Sequence, residues 1–383
     1  MRRRTFLRAT GGLATSAWLL RATTRAQVSH PDALVAELKT RLPDLMRAHR
    51  VPGLAIALVR DGKMAWVEGF GMKVRDSSQR VDNDTVFEAA SVSKTVFAYA
   101  VMKLCDEGVI GLDTPLTQYA PTPFLAGDAR LNLITARHVL SHTTGFQDWR
   151  SRSAPLKIHF DPGERFDYSG EGYFYLQSIM THLRGRVDRA HCGRFEAGLE
   201  VCATDIDETM QRMVLRPFGM AASGYLWNAR LEPHVAAPHD IEGRPLTKGK
   251  TTPVEAARYA SAGGLNTTAT DYARFLIEVV APRPADEHRL KKSTWQEMLR
   301  PQIKLPPDVK IDGATHWALG WAIQELASGN LIIHSGGQAG FRSLAIGNLE
   351  RRAGFVILTN SDKGGNVIYD ETILRPLVGM LTT

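Results

Sequence analysis

The reading of the chain turns on Phe87-Glu88-Ala89-Ala90-Ser91-Val92-Ser93-Lys94-Thr95. A short apolar lead runs into small residues, and from Thr95 to Glu107 the pattern is helical and closes at Gly108. Ser91 therefore precedes a helix with Lys94 three positions on, so one turn brings the lysine stem back beside the hydroxyl. A serine that attacks a carbonyl needs a proton acceptor, and a desolvated, neutral lysine can provide it. First-turn N–H groups favour the negative charge that develops. Ser-x-x-Lys alone is a weak pattern, and its strand-like lead and helical follow-on give it weight.

Working outward, the N-terminal side holds an amphipathic helix from Pro31 to His49, with Leu34, Leu38, Leu42 and Met46 on one face. Two apolar runs follow, Leu54 to Val59 and Met64 to Val67, joined by Arg60-Asp61-Gly62-Lys63, which is a hairpin signal. On the C-terminal side, strand-like runs span Trp317 to Glu325, Leu331 to His334, Phe341 to Asn348 and Gly354 to Thr359, before a helical segment from Asn366 to Val378. An antiparallel sheet assembled from both ends of the chain buries all these runs, with terminal helices on one face. The expected fold is therefore a mixed α/β single domain over residues 27–383. Its sheet region comprises residues 27–90 and 310–383, and a mainly helical region, residues 91–309, is inserted between them.

Two further clusters carry chemistry. In Pro162-Gly163-Glu164-Arg165-Phe166-Asp167-Tyr168-Ser169-Gly170-Glu171-Gly172-Tyr173 the glycines allow a tight turn that presents Tyr168 to a cleft, where its phenol can relay a proton. In His334-Ser335-Gly336-Gly337-Gln338-Ala339-Gly340-Phe341-Arg342 a strand ends in glycines that let a substrate backbone approach. Gln338 and Arg342 are candidates for binding a substrate carboxylate or amide.

Together these motifs resemble the active-site-serine penicillin-recognising hydrolases, in the branch that holds class C β-lactamases, D-alanyl-D-alanine carboxypeptidases, D-aminopeptidases and related esterases. That family carries Ser-x-x-Lys, Tyr-x-Asn and Lys-Thr-Gly or His-x-Gly in this chain order. The matching residues here are Ser91 to Lys94, Tyr168-Ser169-Gly170 and His334-Ser335-Gly336. Leu140 to Gly145, Arg216 to Met220 and Ser261 to Thr268 are further landmarks, and the resemblance covers nearly all of residues 30–380. It implies a β-lactamase/transpeptidase-like fold with Ser91 as nucleophile and Lys94 and Tyr168 managing its proton. The oxyanion hole falls on the backbone N–H groups of Ser91 and Gly337. His334, Ser335, Gly336, Gln338 and Arg342 line the substrate.

Two departures narrow the expected activity. Gly170 stands where the lactamases and carboxypeptidases offer an asparagine amide, and His334 stands where the lactamases have lysine. Both lean away from efficient penicillin or cephalosporin turnover, with Arg342 or Gln338 left to compensate. The leading expectation is a serine hydrolase cleaving an ester or a D-residue amide through an acyl-enzyme. The alternatives are a class C-like β-lactamase or D,D-carboxypeptidase, and a non-catalytic cell-wall binding or sensing domain. Substrates would be small esters, D-amino-acid peptides or peptidoglycan-like molecules.

Charge and cysteines bear on location and partners. The 383 residues carry a formal charge of +7, yet the first 26 hold six arginines and no acid, which leaves the remaining 357 at +1. The case for a nucleic-acid partner largely disappears with them. Arg3-Arg4-Thr5-Phe6-Leu7, a weakly apolar stretch and Thr24-Arg25-Ala26 read as a twin-arginine-type signal peptide over residues 1–26. A periplasmic or secreted protein without stable membrane insertion is expected. Cys192 and Cys202 flank a polar segment as a possible disulfide, while Cys105 reads as apolar filler. His138, His142 and His334 are scattered, no metal motif is present, and the chemistry calls for no cofactor.

Overall fold

A computed structural model describes residues 31–120, 123–151, 153–184, 192–194, 200–247 and 253–383. The signal-peptide segment, residues 1–26, lies outside them. In chain order the elements are α1 (Pro31–His49), β1 (Gly53–Arg60), β2 (Lys63–Gly71), β3 (Phe87–Glu88), α2 (Ser93–Asp106), α3 (Ala136–Leu140) and α4 (Gly170–Arg184). There follow β4 (Cys192–Arg194), β5 (Glu200–Cys202), α5 (Ala203–Met210), α6 (Pro253–Gly263), β6 (Asn266–Thr267), α7 (Ala269–Val280) and α8 (Lys292–Leu299). The chain ends with β7 (Ile303–Lys304), β8 (His316–Trp317), β9 (Ala322–Gln324), β10 (Leu331–Gln338), β11 (Phe341–Asn348), β12 (Ala353–Thr359), α9 (Gly364–Ile368) and α10 (Glu371–Thr382).

The alternation of side chains in β1 explains the layering. Leu54, Ile56 and Leu58 join one core with the α1 stripe Leu34, Leu38, Leu42 and Met46, while Ala55, Ala57 and Val59 face the other, which holds α2 and α4. A sheet buried on both faces results, ordered β2-β1-β12-β11-β10-β9-β8-β7 and built from both ends of the chain as expected. Ile56 pairs with Ile357, and Ala57 pairs with Val356, so β12 continues the same division. The β1–β2 hairpin closes through Asp61 and Gly62, both in the left-handed region at φ 51° and 70°.

The structure departs from the expected boundaries in four places. β7 adds a sheet strand at 303–304, inside the span 91–309 expected to be mainly helical, and β3 pairs with β6 in a separate two-stranded sheet. The run from Trp317 to Glu325 is two short strands, because Gly320 turns at φ 90° and Ala318 N–H bonds to the Trp321 carbonyl. The last helical segment is two helices, since the Asp370 side chain accepts the Thr372 N–H and caps a new start. α6 and α8 carry no strong periodic signal and are visible only in the fold.

In register, Cys192 and Cys202 oppose each other across β4 and β5. Their side chains lie outside the described residues. Cys105 is half-buried, and burial pushes its thiol up to about 12, so it behaves as an inert filler.

Replacing Ile357, fully buried at the centre of the sheet, by alanine is expected to cost about 2–5 kcal/mol of unfolding free energy. Urea denaturation measures it. A loss below about 1 kcal/mol would contradict this account of the core.

Candidate active site

Ser91 sits in a short 3-10 turn, Ala90–Val92, that runs straight into α2. Ala90 takes φ 50°, a strained conformation for a non-glycine residue, immediately before the serine. The turn is pinned to the sheet: Ser343 Oγ donates to the Ala89 carbonyl at 2.7 Å, and Ser93 Oγ donates to the Ala90 carbonyl at 2.6 Å. A Cβ on Gly336 would lie 2.8 Å from the Ala89 oxygen and 2.9 Å from the Ser91 nitrogen. Only glycine lets β10 come this close to the Ser91 backbone.

Lys94 points back from the first turn of α2. Its Nζ lies 3.4 Å from Ser91 Oγ and donates to the Ala262 carbonyl at the end of α6, 2.6 Å away. The rings of Tyr168 and Tyr173 lie 4.8 and 5.4 Å from the same nitrogen. Burial pulls its pKa down to about 8, against the opposing pull of the Asp148 charge. Tyr168 hydrogen-bonds Ser91, and burial, with the Asp148 charge adding to it, holds the phenol well above its usual range. The two groups beside the serine are thus pushed opposite ways. The amine is the easier to deprotonate, and the phenol keeps its proton.

His142 fixes Tyr168 from behind. Its ring stacks on the phenol at 4.2 Å, and its Nδ1 accepts the Ser169 N–H at 3.0 Å. Sequence reading placed His142 in a landmark segment and among the scattered histidines; its left-handed backbone at φ 55° is invisible in the sequence.

His334 lies on the same side of the cleft, packed edge-on against Trp317 at 5.5 Å. Its Nδ1 contacts the Ser335 carbonyl at 2.7 Å, which makes that nitrogen the protonated one, and Nε2 has no partner among the described residues. Burial, together with the nearby Lys94 charge, pulls its pKa down to about 3. His334 is therefore a neutral wall. β9 pairs only with Leu331, Ile332 and Ile333, so the edge of β10 from His334 onward is not covered by that strand.

The remaining predicted residues divide. Gly337 follows Gly336 on β10, opposite Arg342. The Ser335 hydroxyl bonds the half-buried Asp312 carboxyl. Gln338 reaches across to the Glu88 carboxylate. Arg342 donates to the carbonyls of Gln338 and Phe341 at 2.7 Å and pairs with Asp362 at 3.1 Å, so its guanidinium is engaged in closing the β10–β11 turn.

Gly170 begins α4, and its missing side chain is filled. A Cβ there would lie 2.2 Å from Trp149 Cζ2 and 2.4 Å from Cε2. The loop carrying this indole is tied down: Asp148 accepts the Gly170 N–H at 2.9 Å, and Arg150 forms a buried ion pair with Glu171 at 2.8 Å.

An antiparallel sheet with helices on both faces, a serine and a depressed lysine at a helix start, and a glycine-lined strand beside them have the architecture of the β-lactamase and penicillin-binding-protein superfamily. The Beta-lactamase family profile matches residues 38–377, and the chain belongs to that family. Esterase EstB of Burkholderia gladioli is 26% identical over 56% of this chain, and the match takes in about half (47%) of that esterase. Penicillin-binding protein 4 of Amycolatopsis lactamdurans is 27% identical over 76% of each chain. The crystal structure of a Beta-Lactamase/D-Alanine Carboxypeptidase from Pseudomonas syringae superposes with a TM-score of 0.71 at 18% identity, covering 90% of this chain and 99% of its own. That likeness establishes the fold.

The Lys94 environment leads to a direct test. In ¹⁵Nζ-lysine NMR, Lys94 is expected to titrate with a midpoint near 8 while exposed lysines stay protonated to about 10. A Lys94 midpoint at the exposed value would contradict the burial argument.

Proposed function

We propose that this protein is an exported serine hydrolase that cleaves an ester or a D-residue amide through an acyl-enzyme on Ser91. The observation that carries the reading is the Lys94 amine, 3.4 Å from Ser91 Oγ with its pKa drawn down to about 8. In its neutral form the amine keeps one N–H on the Ala262 carbonyl and offers its lone pair to the serine proton. Ser91 Oγ then attacks the substrate carbonyl, and the backbone N–H groups of Ser91 and Gly337 receive the developing oxyanion. Tyr168, still protonated and hydrogen-bonded to Ser91, passes a proton toward the leaving group. Water then attacks the acyl carbonyl and gives its proton to Tyr168, while Lys94 returns a proton to Ser91 Oγ as the acid leaves.

Two features favour ester or D-residue amide substrates over β-lactams. Position 170 has no side-chain amide and no room for one, and His334 is neutral where a cation would greet a β-lactam carboxylate. The esterase among the relatives supports the ester reading. The leader read in residues 1–26 supports export. Among the described residues, no helix is long and apolar enough to cross a membrane.

The test is a parallel assay of a p-nitrophenyl ester, D-alanyl p-nitroanilide and a chromogenic cephalosporin. Ester or anilide turnover is expected to exceed cephalosporin turnover. Ser91→Ala is expected to lower it at least about 10³-fold, and Tyr168→Phe about 10²-fold or more. Predominant cephalosporin hydrolysis would overturn the substrate assignment. Turnover by well-folded Ser91→Ala at the wild-type rate would overturn the mechanism.

The pH dependence follows from the sign of the lysine shift. Because the base is the neutral form, acylation by a fluorophosphonate should rise with pH through about 8 and level off above it. Lys94→Arg, protonated throughout, should remove the rise. A flat wild-type profile between pH 6 and about 9 would contradict lysine as the base.

A further inference from the structure

The loss of a side chain at position 170 and the placement of Trp149 are one structural fact. The indole occupies the volume that a residue at 170 would need, at 2.2 to 2.8 Å from a Cβ built there. Its loop has little freedom to yield. The Asp148 carboxylate and carbonyl hold the Gly170 and Glu171 N–H groups, both at 2.9 Å. Arg150 gives its own N–H and its Nε to the Glu171 carboxylate at 2.8 and 2.9 Å, and Glu171 is fully buried. Between these two anchors the indole meets Tyr259 of α6 edge-on at 5.0 Å. Trp149 remains partly exposed. Tyr168, at the catalytic serine, is two residues before Gly170, and Ala262, which holds Lys94, is three residues after Tyr259.

We infer that Trp149 is the specificity-determining wall on the acyl side of the cleft, replacing a side-chain amide with an aromatic surface. The substrate class this selects has an apolar or aromatic acyl group and needs no amide beside the scissile carbonyl. An indole face rewards such a group by burial and ring packing, which an asparagine amide at this place would not supply. The inference rests on the reading of the cleft as a serine acyl hydrolase site.

The experiment compares kcat/KM for p-nitrophenyl phenylacetate and p-nitrophenyl acetate in wild type, Trp149→Ala and Trp149→Phe, with Ser91→Ala as the control. Wild type is expected to favour phenylacetate, and Trp149→Ala to lower the phenylacetate-to-acetate ratio about tenfold. Trp149→Phe, which keeps a ring on the same loop, should retain most of the preference. Trp149→Leu, which fills more of the volume without a ring, should lower the ratio as alanine does and decides the matter if the alanine variant does not fold. A ratio unchanged in Ser91-dependent, folded variants would overturn the role of Trp149 and leave the hydrolase standing. Ester turnover that survives in Ser91→Ala would overturn the underlying reading instead. Introducing Gly170→Asn should lower the melting temperature in the wild-type background, and much less in Trp149→Ala. Equal loss in both backgrounds would show that the two residues do not share one volume.

Discussion

One buried amine organises this molecule. Lys94 is almost wholly removed from solvent, and its Nζ has two polar neighbours, the Ala262 carbonyl and Ser91 Oγ. Burying a lysine charge is expensive, so the surroundings favour the uncharged form. Keeping water out requires α2, α4 and α6 to meet there, and the rings of Tyr168 and Tyr173 complete the enclosure. The helical insertion thus buries this amine against the edge of a sheet.

The sheet supplies the other half of the constraint. Its strands come from both ends of the chain, and β10 runs past the Ser91 turn where Gly336 has no side chain to hold it off. Because β9 covers only the first three residues of β10, the later part of that edge lies next to the serine. His334, made neutral by burial, and Tyr168, held by the His142 stack, flank the same space. Ser91, Lys94, Tyr168 and Gly337, to which the proposed mechanism gives its roles, thus come from four separate segments whose positions are set by packing.

Much of this was legible in the residues. The Leu34-Leu38-Leu42 stripe, the Asp61-Gly62 turn and the period-two strands follow from local physics and appear where periodicity places them. The motif spacing around Ser91, Tyr168 and His334 identified the group that the fold gathers. What stayed hidden depends on long-range packing. Gly320 breaks an apolar run because a turn closes there, and α6 is helical although its pattern is poor. Arg342 was a candidate substrate ligand from its charge, yet Asp362 and two carbonyls engage it through contacts no sequence spacing reveals. Trp149 lies 21 positions before Gly170, and only the folded chain shows that one fills the place of the other.

The central claim is a covalent acyl intermediate on Ser91. Its most direct test is rapid-quench mass spectrometry of the intact protein during turnover of an activated ester, followed by peptide mapping. An increase equal to one acyl group, localised to Ser91 and absent from Ser91→Ala, is expected. Full turnover with no adduct, or an adduct mapped to another residue, would contradict it.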